Sequence, residues 1–135
     1  MQAMNAITPP VQKRIFLTED DDSVRQTIKL LLVADGCAVT EAQTGEEALD
    51  RLKRERFDLV ITDFEMPGLN GSELAVIIKR QHPSQPILMI TAYVERLGNY
   101  DNPVDAVLAK PFGLQDLRKV MAELLGAQPL DCRKV

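Results

Sequence analysis

The chain carries 135 residues and a formal net charge of −4, with 45% hydrophobic and 27% charged residues, a balance suited to one soluble globular domain with a core of its own. That acidic balance offers no basic footprint for direct nucleic-acid binding, and no apolar run approaches the roughly 20 residues needed to cross a bilayer. The opening stretch MQAMNAITPPVQKR lacks the apolar segment of a secretion signal, so a cytoplasmic protein without membrane insertion is expected.

Residues 1–13 read as a tail that Pro9-Pro10 keeps extended. The run Ile15-Phe16-Leu17 predicts a first strand, followed by the acids Glu19-Asp20-Asp21-Asp22 and a helical stripe of Val24, Ile28, Leu31 and Leu32. Cys37-Ala38-Val39 predicts a second strand, and Ala48, Leu49 and Leu52 a second helix. Leu59-Val60-Ile61 predicts a third strand that ends on Asp63 and runs into two turn signals, Met66-Pro67-Gly68 and Asn70-Gly71. Leu74, Ile77 and Ile78 mark a third helix, and Ile87-Leu88-Met89-Ile90 a fourth strand leading to Thr91. In the following stretch, YVERLGNYDNPVD at 93–105, Gly98, Asn99, Asn102 and Pro103 break helical structure, so the fourth helix is expected to be short or unwound. Val107-Leu108-Ala109 predicts a fifth strand ending at Lys110. Leu114, Leu117, Val120, Met121 and Leu124 make a final amphipathic helix that stops near Gly126.

Strand–helix alternation indicates a parallel sheet with helices on both faces. Five strands at this length predict an α/β domain, flavodoxin-like and doubly wound, with strand order 2-1-3-4-5. The domain is expected over residues 14–126, between an N-terminal tail (1–13) and a C-terminal tail (127–135). Cys37 and Cys132 are expected as thiols in a reducing cytosol. His82 is the one histidine; it reads as a helix-end residue and leaves no basis for a histidine metal cluster or Ser–His catalysis.

Open parallel sheets place their ligand sites beyond the carboxyl ends of the strands. Here those ends carry Glu19-Asp20-Asp21-Asp22, Asp63, Thr91 and Lys110. Two carboxylates 4 Å apart repel by about 4 kcal/mol at an effective dielectric near 20. A hard divalent cation makes such a cluster tolerable, and Mg²⁺ favours oxygen ligands shared between carboxylates and phosphate. Thr91 and Lys110 supply a hydroxyl and a compact positive charge suited to phosphoryl oxygens. A carboxylate can carry the phosphoryl group as an aspartyl-phosphate, and Asp63 is placed for that role. Asp21 and Asp22 are assigned instead to the positive end of the first helix.

With the acidic cluster, Asp63 in DFEMPGLNG, Thr91 in ITA and Lys110 in KPF in this order, the chain resembles the receiver domain of two-component response regulators over about residues 14–126. The resemblance implies that Asp63 accepts a phosphoryl group from a histidine kinase or phosphotransfer protein. It implies that Asp20 binds Mg²⁺ directly and Glu19 through water, with Asp63 and the backbone carbonyl of Glu65 completing the protein ligands. Thr91 and Lys110 would hold the phosphoryl oxygens, and the bond before Pro111 would be cis. The protein would then be a signalling switch that controls a downstream effector domain or protein. It would not be an enzyme beyond its own phosphorylation and dephosphorylation.

The chain departs from the family at two places. Val107 stands three residues before Lys110, where the family usually has an aromatic ring that swings inward on activation; valine has no ring and is stiff at its first torsion. Tyr93 and Tyr100 are the candidates to replace it. Thr91 and Lys110 also lie closer in sequence than is usual, which predicts an altered output surface and an activation step that orders residues 93–103. Glu65 and Tyr93 occupy positions that in the family tune the loss of phosphate, with Tyr93 expected to hinder the attacking water.

Two other functions remain open from the residues: an interaction module that keeps the fold but signals without phosphorylation, and a flavin- or nucleotide-binding enzyme. The enzyme calls for a Gly- or Ser/Thr-rich phosphate loop after the first strand, where this chain has four acids. The stretch AQPLDCRKV is too short to be an effector domain. Standing alone, the domain is expected to dock to a partner or shuttle phosphate.

Overall fold

Unbroken apolar runs and amphipathic stripes alternate to give five strands and four α-helices in the computed structural model, counted among the residues it describes, 12–99 and 101–126. They are β1 (Arg14–Thr18), α1 (Asp22–Ala34), β2 (Ala38–Ala42), α2 (Gly45–Leu52), β3 (Leu59–Asp63), α3 (Gly71–Gln81), β4 (Ile87–Thr91), β5 (Ala106–Ala109) and α4 (Leu114–Leu124). The strands form one parallel sheet in the order β2-β1-β3-β4-β5, the doubly wound, flavodoxin-like arrangement expected. Apart from Gln12 and Lys13, the expected tails, Cys132 included, lie outside the described residues, as does Tyr100.

Alternation along each strand sends side chains to opposite faces. Ile15 and Leu17 of β1 pack with Ile28 and Leu32 of α1 and Leu117 and Met121 of α4. Phe16 and Val60 face the other way, against Ala48 and Leu52 of α2 and Leu74, Ala75 and Ile78 of α3. Every residue of β3 and β4 is buried. Each fully buried Leu or Ile contributes about 1.5–3 kcal/mol, so these two strands anchor the sheet. The edge strand β5 buries only Leu108 among its four residues.

Helix ends are fixed by side chains. The Asp21 carboxylate accepts the Val24 N–H at 3.0 Å, the helix-start role predicted for it. At α3, Asn70 and Glu73 form a reciprocal capping box. His82 is the residue that ends α3.

Between β4 and β5, among the described residues, the one helical element is a 3-10 turn, Val94–Asn99, with Leu97 as its buried anchor. The helix breakers read from the sequence explain its shortness. Cys37 departs from expectation. It is buried just before β2 and disulfide-bonded, whereas a thiol was expected; disulfide connectivity cannot be deduced from sequence alone.

Candidate functional site

Parallel register brings the strand ends to one edge: Thr18 lies beside Ala42 and Thr62, Asp63 beside Ile90, and Thr91 beside Ala109. Glu19 follows β1 directly, and its backbone N–H donates to the Ala42 carbonyl at 3.1 Å, continuing the sheet by one residue. That extension buries its side chain, which accepts the Asp21 N–H at 3.2 Å. Asp63 is the last residue of β3 and is also buried. Asp20 is exposed. Carboxylate oxygens of Glu19, Asp20 and Asp63 nevertheless lie within 4.8 Å of one another.

Lys110 enters from the sheet edge. Its N–H donates to the Thr91 carbonyl at 2.8 Å, and the bond to Pro111 is cis. Its Nζ lies 3.2 Å from Glu19 Oε1 and 3.3 Å from Asp63 Oδ1. Thr91 is fully buried, and its hydroxyl accepts the Tyr93 N–H at 2.9 Å. Glu65, expected to act through its backbone carbonyl, turns its carboxylate to an ion pair with Arg96.

The turn after Asp63 depends on glycine. A Cβ on Gly71 would stand 2.3 Å from the Asp63 carbonyl oxygen and 2.9 Å from the Phe64 Cα. Gly71 N–H donates to the Phe64 carbonyl at 2.9 Å. The start of α3 is thereby held flush against the residue that ends β3. Gly68, with φ of 75°, supplies the left-handed turn between them.

Three carboxylates face one ammonium. Burial, then the neighbouring Asp63 charge, pushes the Glu19 carboxyl up to about 7, against the opposing pull of the Asp21 N–H and Lys110. Burial works against the Lys110 charge, but Asp63 and Glu19 outweigh it and hold its pKa above the ordinary lysine value. The residual negative charge, set in an all-oxygen cluster, fits a hard divalent cation such as Mg²⁺.

Two side chains important to this edge were not singled out from the sequence. Arg25 is buried under the first acidic loop, donating to the Glu19 carbonyl at 2.8 Å and pairing with Asp22 and Glu41. The available signal was its spacing: Arg25, Ile28 and Leu32 form the buried face of α1, so this arginine stands in an apolar stripe. Arg96, in the 3-10 turn, pairs with Glu65 and lies over the Tyr93 ring at 4.4 Å.

The profile of the response regulator receiver domain family matches residues 15–122. The receiver protein CpdR of Brucella abortus is 39% identical over 116 residues, covering 84% of this chain and 97% of that protein. The response regulator MprA of Mycolicibacterium vanbaalenii is 37% identical over 115 residues, covering 83% of this chain and 50% of that protein. The chain thus spans about half the length of the MprA relatives it matches. Among solved structures, the response regulator TrrA of Thermotoga maritima, in complex with Mg²⁺ and BeF, has a TM-score of 0.80. It is 32% identical, with 84% of this chain and 99% of that one covered.

Proposed function

We propose that this chain, which belongs to the response regulator receiver domain family of two-component signalling, accepts a phosphoryl group on Asp63 and thereby switches the state of a downstream partner. The observation that carries this reading is Lys110, whose ammonium bridges Glu19 and Asp63 from a third strand end, 3.2 and 3.3 Å away. An Asp63 oxygen attacks the phosphorus of a phosphohistidine donor. The new P–O bond forms as the P–N bond breaks, and the electron pair returns to the imidazole nitrogen. Lys110 and the Thr91 hydroxyl donate to phosphoryl oxygens, and the Lys110 ammonium already lies 3.3 Å from the Asp63 carboxylate that receives the group.

Glu19, Asp20, Asp63 and the backbone carbonyl of Glu65 would hold Mg²⁺. When bound, the ion supplies positive charge that offsets both the crowded carboxylates and the phosphoryl oxygens. TrrA, a relative with an Mg²⁺–BeF complex, supports that assignment. The upstream partner is a histidine kinase or phosphotransfer protein in the cytoplasm, acting on a domain that occupies residues 14–126. The downstream partner is an effector domain or protein. MprA is about twice the length of the matched region, whereas CpdR is matched over nearly its whole length.

A second reading, an interaction module that works without phosphorylation, is favoured by one observation: Val107 is 37% exposed on β5, where the switch residue of the family carries a ring. Intact mass after incubation with acetyl phosphate and Mg²⁺, beside an Asp63→Asn variant, separates the two. One adduct that requires the metal and is lost in the variant is the expected result. No adduct, either with acetyl phosphate or with a phosphorylated histidine kinase, overturns phosphorylation in favour of the second reading.

A further inference from the structure

We propose that Arg25 is a positioning residue for the metal ion: it sets the shape of the acidic loop after β1, so that Glu19 and Asp20 reach one cation together. The role rests on the assignment of those two acids as Mg²⁺ ligands. Arg25 is 6% exposed, and its guanidinium finds acceptors on three segments. Nη1 donates to the Glu19 carbonyl at 2.8 Å, Nη2 to Asp22 Oδ1 at 2.6 Å and Nε to Glu41 Oε1 at 3.1 Å. The Glu19 carbonyl belongs to the peptide that joins Glu19 to Asp20. That unit is planar, so a bond that fixes its carbonyl fixes the plane between the two ligand-bearing α-carbons. On the other side, Glu19 N–H donates to the Ala42 carbonyl at 3.1 Å, and Glu19 Oε2 accepts the Asp21 N–H at 3.2 Å. Arg25 completes the hold on the loop from within the core.

Charge alone does not account for this placement. Asp22 and Glu41 already balance the guanidinium, and Glu41 also accepts from Lys29 at 2.7 Å and Gln26 at 3.3 Å. What the acidic loop receives from Arg25 is a directed hydrogen bond to its main chain. The planar fork of arginine spans three acceptors at once, whereas the ammonium of lysine is a compact point charge on a flexible stem. Mg²⁺ demands near-ideal octahedral geometry. A small rotation of the peptide between two of its ligands therefore falls on metal affinity before it falls on the fold.

The test is a Mg²⁺ titration of the full, isotopically labelled chain well below its melting temperature, with the dissociation constant read from amide chemical shifts. Arg25→Lys keeps a buried cation and loses the fork. It is expected to bind Mg²⁺ roughly 10-fold more weakly than wild type, the lower end of the loss usual when support for a metal ligand is removed. Arg118→Lys is the matched control, because it loosens the paired bonds to Asp35, at 2.6 and 2.7 Å, at the far end of α1. It is expected to melt lower in chelator while its Mg²⁺ affinity stays at the wild-type value. An arginine that served only the fold would likewise lower the melting temperature and leave the dissociation constant of the folded protein unchanged. Wild-type affinity in Arg25→Lys overturns the proposal and leaves the metal ligands as assigned. So does an equal loss of affinity in Arg118→Lys. A wild-type chain whose shifts do not respond to Mg²⁺ overturns the ligand assignment and this role together.

Discussion

Lys110, the first residue beyond β5, places its ammonium 3.2 Å from the carboxylate of Glu19, the first residue beyond β1, across 91 residues of sequence. It reaches over β4 and also lies 3.3 Å from Asp63. One cation thus offsets two buried carboxylates, and nothing else in the pocket carries positive charge among the contacts described. Lys110→Met leaves both acids without it. Removing one partner of a buried ion pair costs up to about 3–5 kcal/mol. The partial exposure of Lys110 places the expected loss at the lower end, as a reduced urea midpoint at pH 7.5 in the absence of Mg²⁺. An unchanged midpoint would show that the lysine contributes nothing to holding the acids together.

Substitution of one of those acids has the opposite sign. Glu19→Gln keeps an oxygen that can accept the Asp21 N–H, now made at 3.2 Å, while removing a buried charge from beside Asp63. Without metal, the melting temperature should rise by roughly 3–6 °C, the shift that corresponds to about 1 kcal/mol in a domain of this size. Addition of Mg²⁺ should raise the wild-type melting temperature and raise that of the variant less. A variant less stable than wild type in chelator would mean that the hydrogen bonds of Glu19 outweigh its repulsion with Asp63.

A second charged cluster, behind the acidic loop, sets a pH dependence. Glu41 receives hydrogen bonds from Lys29 at 2.7 Å, Arg25 at 3.1 Å and Gln26 at 3.3 Å, with Asp22 on the far side of Arg25. The Lys29 bond, opposed by burial and joined by Arg25, holds the Glu41 carboxyl below its ordinary value of 4.5. A carboxyl with a depressed folded pKa stabilises the fold fully above the unfolded value, and that contribution is lost as pH falls through the folded one. Glu41→Gln should therefore be less stable than wild type at pH 7. The gap should close progressively as pH falls below 4.5. Denaturant titrations at pH 7, 5 and 3 check this, and a gap that persists at pH 3 would point to packing instead of charge.

The 3-10 turn is anchored by the buried Leu97, while Val94 and the preceding Tyr93 are exposed. Ion pairing between Arg96 and Glu65 links it to the loop after Asp63. Thr91, whose hydroxyl receives the Tyr93 N–H, links it to the proposed phosphoryl ligands. A hydroxyl that turns toward the phosphoryl group gives up or strains that bond, so the turn must rearrange. Amide exchange over residues 94–99 is expected to slow on phosphorylation as the segment becomes ordered. Exchange that is unchanged would move the output elsewhere on the surface.

The sheet and its polar edge were legible because a strand buried on both faces reads as an apolar run, so the residue that ends the run announces itself. Asp63, Thr91 and Lys110 were found that way, and the structure gathers all three strand ends. Periodicity also marked the helices, and Gly98 with Pro103 marked the weak segment between β4 and β5. What escaped were contacts set by tertiary geometry. Arg25 is a charge on a helix, and only the packed fold turns the stripe it shares with Ile28 and Leu32 inward. No local pattern pairs Arg96 with Glu65, since the two meet only when neighbouring strands end side by side. The disulfide at Cys37 leaves no trace in the residues around it.

Gly71 tests how tightly the nucleophile loop is set. Its Asn-Gly signal reads as a turn, but Gly71 opens α3; the constraint is space. An added Cβ would meet the Asp63 carbonyl oxygen at 2.3 Å and Met89 Sδ and the Phe64 Cα at 2.9 Å. The methionine can yield, whereas two backbone groups cannot without moving Asp63 or the start of α3. Gly71→Ala should cost about 1–3 kcal/mol, the usual range for overpacking. It should also slow adduct formation on Asp63, because the displaced carbonyl belongs to the reacting residue. Gly68→Ala is the contrast: its added Cβ would meet only the flexible Glu46 carboxylate at 3.1 Å, and its penalty comes from a φ of 75°. That variant should lose stability and keep more of its phosphorylation rate. Urea midpoints and adduct formation rates for both variants decide it, and equal rates in the two would mean that close packing at Gly71 does not position Asp63.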